Sequence, residues 1–135
     1  MRPATNVLQW WVRLSGLVQL VLGGLFWTNN QLQLIPLHML NGMLLVIGLW
    51  ALAGLAAAAR VEARLVALAV VWGAVTVALG ATHAQILPGD WHWVVRVVHL
   101  LVGLAAIGQA GMLAQRIKAR RHHGGPVGQI ARGAV

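Results

Sequence analysis

Four long apolar stretches alternate with short polar connectors along the chain. The stretches cover about residues 9–28, 37–59, 65–86 and 93–115, and the connectors hold the Asn-Asn, Pro and Pro-Gly-Asp sequences typical of loops. A helix needs about 20 mainly apolar residues to cross the roughly 30 Å hydrocarbon core of a bilayer, since each residue adds about 1.5 Å. The pattern therefore predicts four membrane-spanning helices, and the short loops require an up-down-up-down bundle.

The composition agrees with an all-α integral membrane protein of one domain. Of the 135 residues, 59% are hydrophobic and 9% are charged, whereas a soluble domain carries about 25% charged residues. A soluble globular enzyme and a disordered chain are therefore excluded. Because the chain has no cysteine, disulfides, zinc–thiolate sites, cysteine-ligated iron–sulfur clusters and thioether-attached haem are excluded as well. The first apolar stretch is too long for a cleavable signal sequence, and we expect it to remain as a helix.

Positive charge gathers on one side of the predicted bundle. Nine of the ten Lys and Arg residues fall there, and only Arg96 lies near the opposite face, as does Asp90. The positive-inside rule then predicts cytoplasmic termini in a bacterial-type plasma membrane. The net charge of +8 is thus a topology signal and does not indicate nucleic-acid binding. We expect the basic, Gly-rich tail 116–135 to fray in the cytoplasm as a solvated topology signal, or alternatively to touch anionic lipid.

The chain looks internally duplicated. Residues 15–24 align with residues 72–81, which pairs Gly16 with Gly73 and Gly23 with Gly80. Further on, His38-Met-Leu-Asn-Gly42 aligns with His99-Leu-Leu-Val-Gly103. Each half is then a helical hairpin with His-x-x-x-Gly on its second helix, and the two hairpins form a parallel repeat about an axis along the membrane normal.

The histidines of the two halves are the candidate chemistry. An ionisable group inside a membrane helix indicates function by default, although a single histidine can also serve only as an interhelical hydrogen bond. Two neutral imidazoles, His38 and His99, can ligate one haem iron axially from opposite sides of a four-helix bundle. Counted from the basic helix ends, however, the two differ in depth by about 7 Å. Helix tilt can remove this mismatch; otherwise His83 replaces His38 as the partner of His99.

Glycines and one arginine surround the predicted ligand pair. Gly42 and Gly103 lie four residues after the two histidines, on the same helix faces, where the missing side chain leaves room for the edge of a flat macrocycle. The remaining glycines of the repeat would reduce side-chain bulk on the first and third helices, or would serve only for close helix packing. These glycines are Gly16, Gly23, Gly73 and Gly80. Arg96, one turn from His99, can pair with a haem propionate, point outward, or pair with Asp90. Asn41 is expected to bridge helices.

With these residues the chain resembles small membrane b-type cytochromes, in which a four-helix bundle holds haem between two histidines. Cytochrome b561-like proteins and each half of haem A synthase are of this kind. The resemblance covers about residues 9–115. The two-haem arrangement typical of cytochrome b561 is not expected, because no histidine lies in the inner half of the predicted bundle. We therefore expect one bis-histidine haem b near the extracytoplasmic face, which would exchange electrons with quinol or a redox partner protein, alone or within a homo- or hetero-oligomer. The glutamate–histidine pattern of haem A synthase is missing, because the one Glu, Glu62, falls in a connector.

Other classes stay open at this point. A small transporter is possible, with a proton relay through His83 and His99, but neither acidic residue falls within a predicted span. A cofactor-free accessory or anchor subunit would use the glycines for packing alone. A metal site made by the histidines alone lacks nearby carboxylates and thiolates. The colour of the purified protein separates the haem hypothesis from the others.

Overall fold

A computed structural model describes residues 2–28 and 31–123, and within these ranges the chain forms four α-helices and no β-strand. The helices are α1 (Arg2–Thr28), α2 (Ile35–Ala58), α3 (Ala63–Thr82) and α4 (His92–His123). A short 3-10 turn precedes α2 at Leu32–Leu34, and another follows α3 at His83–Gln85. Each helix belongs to a segment long and apolar enough to cross a membrane. The all-α class and four candidate membrane helices are thus confirmed.

The helix ends differ from the predicted ones for local reasons. Helix α1 begins at Arg2, seven residues before the predicted start. Pro3 is compatible with this start, since its missing N–H would have no partner in a first turn. Helix α3 ends at Thr82. Beyond it Leu87 takes a left-handed conformation, with φ 48°, and precedes Pro88, which disfavours helix in the residue before it. Residues 124–135 of the predicted tail lie outside the described ranges.

The connection between α2 and α3 is a tight helix-ending motif. The N–H of Val61 donates to the carbonyl of Ala56 at 3.0 Å, and the N–H of Arg60 donates to the carbonyl of Ala57 at 3.0 Å. Arg60 itself has φ 56°, the left-handed conformation that this motif needs and that glycine usually supplies. Val61 is buried, which gives the motif its usual apolar contact.

Helices α2 and α4 contact each other, and α1 and α3 each pack against both of them. The buried core combines leucines and valines with alanines that allow close approach of the helices. Its largest fully buried side chains include Val12, Val46, Leu49, Leu52, Leu113 and Ile117.

Two of the repeat glycines are packing positions. A Cβ on Gly16 would lie 2.5 Å from Cδ1 of Ile107 in α4, and a Cβ on Gly73 would overlap the indole nitrogen of Trp50 in α2. The space at these two glycines is thus filled by side chains of neighbouring helices, as in close helix packing within lipid.

Tryptophan side chains link successive helices, which the sequence analysis did not foresee. In each case the indole N–H donates to a main-chain carbonyl of the next helix along the chain. The pairs are Trp11 with Leu44 at 3.2 Å, Trp50 with Val70 at 3.1 Å, and Trp72 with Val102 at 3.0 Å. Each bond satisfies a polar group that would otherwise face an apolar surrounding.

One end of the bundle is closed by polar contacts, and we call it the Glu62 end. The Glu62 carboxylate accepts a hydrogen bond from Arg120 at 3.2 Å and pairs with Arg116 at 3.9 Å. Lys118 donates to Oε1 of Gln9 in α1 at 2.9 Å. A hydrogen bond from its own backbone, together with the charges of Arg120 and Arg116, lowers the pKa of Glu62 although partial desolvation opposes the shift.

These contacts correct the expectation that the chain frays from residue 116. Helix α4 continues to His123, because Ile117 is fully buried and its basic neighbours reach partners in α1 and in the α2–α3 connection. The basic residues after 115 therefore hold helices together in addition to any role in membrane topology.

Candidate functional site

Four histidines converge opposite the Glu62 end, and we call this region the histidine end. His38 comes from α2, His99 and His92 from α4, and His83 from the turn after α3. The ring centroid of His99 lies 6.2 Å from that of His38 and 5.7 Å from that of His83. The ring centroid of His83 in turn lies 6.1 Å from that of His92. The rings thus form a row, with His99 between the two candidate partners that the sequence left open.

The inner two rings carry buried nitrogens without partners. Nδ1 of His38 and Nδ1 of His99 are both shielded from solvent, and neither has a hydrogen-bond partner among the described residues. A buried polar atom without a partner costs free energy, about 1–3 kcal/mol in typical cases. Among the described residues, Oε2 of Glu62 and Oε1 of Gln109 are the other two such atoms.

His38 is attached to a polar network between α1 and α2. Its Nε2 lies 3.5 Å from Nε2 of Gln19. Asn41 donates from Nδ2 to the carbonyl of Ser15 at 2.8 Å and to Oε1 of Gln19 at 3.0 Å. The prediction that Asn41 bridges helices is therefore confirmed. Phe26 adds an edge contact to His38, with 5.2 Å between ring centroids.

The outer two histidines bind main-chain carbonyls. Nδ1 of His83 lies 2.9 Å from the carbonyl of Gly80, which leaves Nε2 of His83 with a free lone pair. Nδ1 of His92 makes a long contact of 3.4 Å with the carbonyl of Ile86. A histidine whose Nδ1–H is held by a carbonyl is in the tautomer that metal-binding histidines commonly adopt.

The glycines near the histidines divide into open and filled positions. A Cβ on Gly23 or Gly103 would meet nothing within 4 Å, so these two positions border open space. A Cβ on Gly80 would lie 3.4 Å from Cε1 of His99. A Cβ on Gly42 would lie only 2.7 Å from Nε2 of Gln19, so the amide of Gln19 takes the room that Gly42 leaves.

Arg96 lies on the exposed surface one helical turn from His99. Within the described part of the chain it makes no salt bridge, with Asp90 or with any other acidic group. Of the three outcomes expected for Arg96, the pairing with Asp90 is absent there. The guanidinium remains available to a carboxylate of another molecule.

Sequence reasoning missed Gln19 and Phe26, although one signal for Gln19 was present. An amide in an otherwise apolar membrane helix must find a hydrogen-bond partner, because lipid offers none. Gln19 stands in such a stretch of α1. Phe26 carries no such signal, since an aromatic residue in an apolar helix has many possible neighbours.

The side chains available as metal ligands limit which metal group the site could hold. Across residues 2–28 and 31–123, no group of three or more His, Asp or Glu is arranged to hold a metal ion. Two neutral imidazoles on facing helices do suit the axial pair of a haem, whose remaining four ligands belong to the porphyrin. Compared with known protein families, curated proteins and solved structures, the chain matches none. The resemblance to membrane b-type cytochromes therefore stays a prediction from the sequence.

Proposed function

We propose that this protein is a membrane b-type cytochrome that holds one haem b between His38 and His99 and serves electron transfer. The observation that carries the proposal is the facing pair itself, with 6.2 Å between ring centroids. Each metal–imidazole bond is about 2 Å long, so two rings pointing at one metal ion have centroids about 6 Å apart. The His38 and His99 rings, tilted by 51° to each other, are close to this separation, and so are His99 and His83 at 5.7 Å. The proximity of the rings supports a shared iron.

Two further observations support the fit of a haem to these residues. The shielded Nδ1 atoms of His38 and His99 have no partner among the described residues, so no hydrogen bond at Nδ1 fixes the orientation of either ring. Gly23 and Gly103 border open space, so a flat group beside them would meet no other side chain at their Cβ positions. His83, with its free Nε2, is the alternative partner of His99.

The chain's own residues would orient and shield the site. A bound haem supplies one-electron redox chemistry, with a potential set by its ligands and surroundings. With His38 and His99 both holding it, a haem would supply electron transfer and would not bind oxygen. Arg96, exposed and without a salt bridge among the described residues, would pair with a propionate. Quinol or a redox partner protein would exchange electrons at the histidine end, with or without assembly into an oligomer.

The finer topology belongs to the same proposal. Short connectors and the helix-ending motif at Arg60 support an up-down-up-down bundle of two repeated hairpins. The meeting of both His-x-x-x-Gly segments supports the duplication, since equivalent helices of two hairpins would face each other across a central axis. Arg60, Arg64 and Arg116 gather with Glu62, which supports a cytoplasmic Glu62 end and cytoplasmic termini in a plasma membrane.

A second candidate function is a cofactor-free accessory subunit, and the filled position at Gly42 favours it. The Gln19 amide occupies the space where a macrocycle edge was expected. In this function the Asn41–Gln19–His38 network would only join α1 to α2. Such a protein would be colourless after purification.

The test is the absorption spectrum of the full-length protein purified in detergent from haem-replete cells. We expect a reduced-minus-oxidised spectrum of a bis-histidine haem, and a pyridine haemochrome typical of haem b. His99→Ala and His38→Ala should each lose the haem, because each removes one axial ligand. His92→Ala, at the outer end of the row, is the matched control and should keep it. A colourless wild-type protein, or an unchanged spectrum in His99→Ala, would contradict the proposal.

A further inference from the structure

A main-chain carbonyl fixes which atoms donate and which accept in the hydrogen-bond network around His38. The carbonyl oxygen of Ser15 can only accept a hydrogen bond, and it lies 2.8 Å from the Asn41 side chain. The amide nitrogen of Asn41 must therefore face it, since an oxygen in that place would oppose another oxygen. The same nitrogen has a second hydrogen, which it directs to Oε1 of Gln19 at 3.0 Å.

Asn41 thereby sets the orientation of the Gln19 amide. With Oε1 of Gln19 turned towards Asn41, Nε2 of Gln19 lies on the other side, 3.5 Å from Nε2 of His38. An amide nitrogen donates and cannot accept, so Nε2 of His38 has to be the acceptor. A neutral imidazole that accepts at Nε2 carries its proton on Nδ1.

Gly42 makes this arrangement possible. Its missing side chain leaves the place where Nε2 of Gln19 lies, and a Cβ there would come within 2.7 Å of that nitrogen. Asn41 and Gly42 follow His38 by three and four residues, which places all three on one face of α2. One helix thus supplies the imidazole, the group that orients Gln19, and the space that admits it.

We propose that Gln19 is a positioning residue that holds His38 in the neutral tautomer with its proton on Nδ1 and its Nε2 lone pair turned towards Gln19. The consequence for haem rests on the proposed function: coordination through Nε2 of His38 requires Gln19 to release that lone pair. No proton moves in this exchange, because Nε2 is already unprotonated. Gln19 therefore competes with iron for one atom, and its removal favours haem binding.

The direct test is 15N NMR of the full-length protein, labelled at histidine and purified from haem-depleted cells, so that His38 carries no iron. Wild-type His38 should show a protonated Nδ1 and an unprotonated Nε2. Gln19→Leu should weaken this preference roughly 2- to 10-fold, the value of one ordinary hydrogen bond. Gln19→Glu should reverse it, because a carboxylate accepts a hydrogen bond from Nε2–H.

Matched variants separate this effect from a loss of packing. Gln109→Leu removes another partly buried glutamine of the bundle, one whose Oε1 lacks a partner, and should leave the His38 tautomer unchanged. Gly42→Ala should act like Gln19→Leu, since the added Cβ displaces the Gln19 amide. Gly42→Ala decides the question if Gln19→Leu does not fold. A protonated Nε2 in wild-type His38, or no change in either variant, would overturn the proposal.

Haem titration then tests the competition separately. Gln19→Leu should bind added haemin roughly 2- to 10-fold more tightly than wild type, and Gln109→Leu should bind like wild type. Equal or weaker binding by Gln19→Leu would overturn the competition. If the tautomer behaves as proposed while His99→Ala and His38→Ala leave haem binding unchanged, the proposed function fails and the role of Gln19 in orienting His38 stands.

Discussion

The two ends of the bundle are built differently. In α2 every buried residue lies from Leu45 onward, towards the Glu62 end, and in α4 all the buried residues except Val95 lie from Ala106 onward. Ion pairs and a Lys118–Gln9 hydrogen bond close that end. The histidine end instead holds a row of partly buried rings and few buried residues.

The two ends of the bundle differ in how much their side chains contribute to stability. Packed side chains and ion pairs stabilise the Glu62 end, whereas the histidine end has few buried side chains and gains less from packing. Buried polar atoms without partners occur in both halves of the described bundle. Regions of low local stability are where binding residues and moving elements commonly lie. The Glu62 end therefore contributes more to holding the helices together than the histidine end does.

The largest stability effect should come from the packed region. Leu49→Ala, at a fully buried position of α2, should lower the free energy of unfolding by about 2–5 kcal/mol, because it leaves a cavity. Leu40→Ala is the control on the same helix, where the side chain is 59% exposed, and should change it by less than about 0.5 kcal/mol. Equilibrium unfolding in mixed micelles measures both. Equal losses would remove the distinction between the two ends.

Asn41→Leu should have an intermediate effect. It removes two hydrogen bonds from α2 to α1, and side-chain bonds between membrane helices are worth about 0.6 kcal/mol on average and about 1.7 kcal/mol at most. Thermal unfolding in detergent measures the loss. Gln109→Leu, which removes a partnerless buried oxygen, should be neutral or stabilising. A loss in Gln109→Leu as large as that in Asn41→Leu would show that the Asn41 bonds do not matter.

Acid should weaken the Glu62 end slightly. The pKa of Glu62 in the folded protein lies below its ordinary value of 4.5, chiefly through a hydrogen bond from its own backbone and then through Arg120 and Arg116. The stability from this depressed pKa is therefore present above that ordinary value and is lost as the pH falls through the folded pKa. Wild type should melt at a slightly lower temperature at pH 3 than at pH 6, and Glu62→Gln should reduce this difference. An unchanged pH dependence in Glu62→Gln would mean that other groups cause it.

The sequence predicted those features that follow from apolar length and spacing. Four long apolar runs have no stable form in lipid other than helices, and a histidine or Asn41 within such a run must face other helices. The 7 Å depth mismatch did not decide between His38 and His83, because a linear residue count ignores helix tilt and the turn after α3. In the structure His99 neighbours both rings.

Other features depend on which helix faces which, and spacing alone does not give that. Gly42 was expected to make room for a macrocycle, but the amide that fills the space comes from Gln19, twenty-three positions earlier in the chain. The continuation of α4 past residue 115 depends on Glu62 in a distant connector. In both cases a polar side chain far away in sequence supplies the partner.

The most direct test of the central claim is the amount of haem per chain in the purified full-length protein. Pyridine haemochrome analysis gives the haem, and quantitative amino-acid analysis gives the protein. A single pair of imidazoles at the histidine end predicts one haem b per polypeptide. Protein from haem-replete cells that contains no haem, or two haems per chain, would contradict the account.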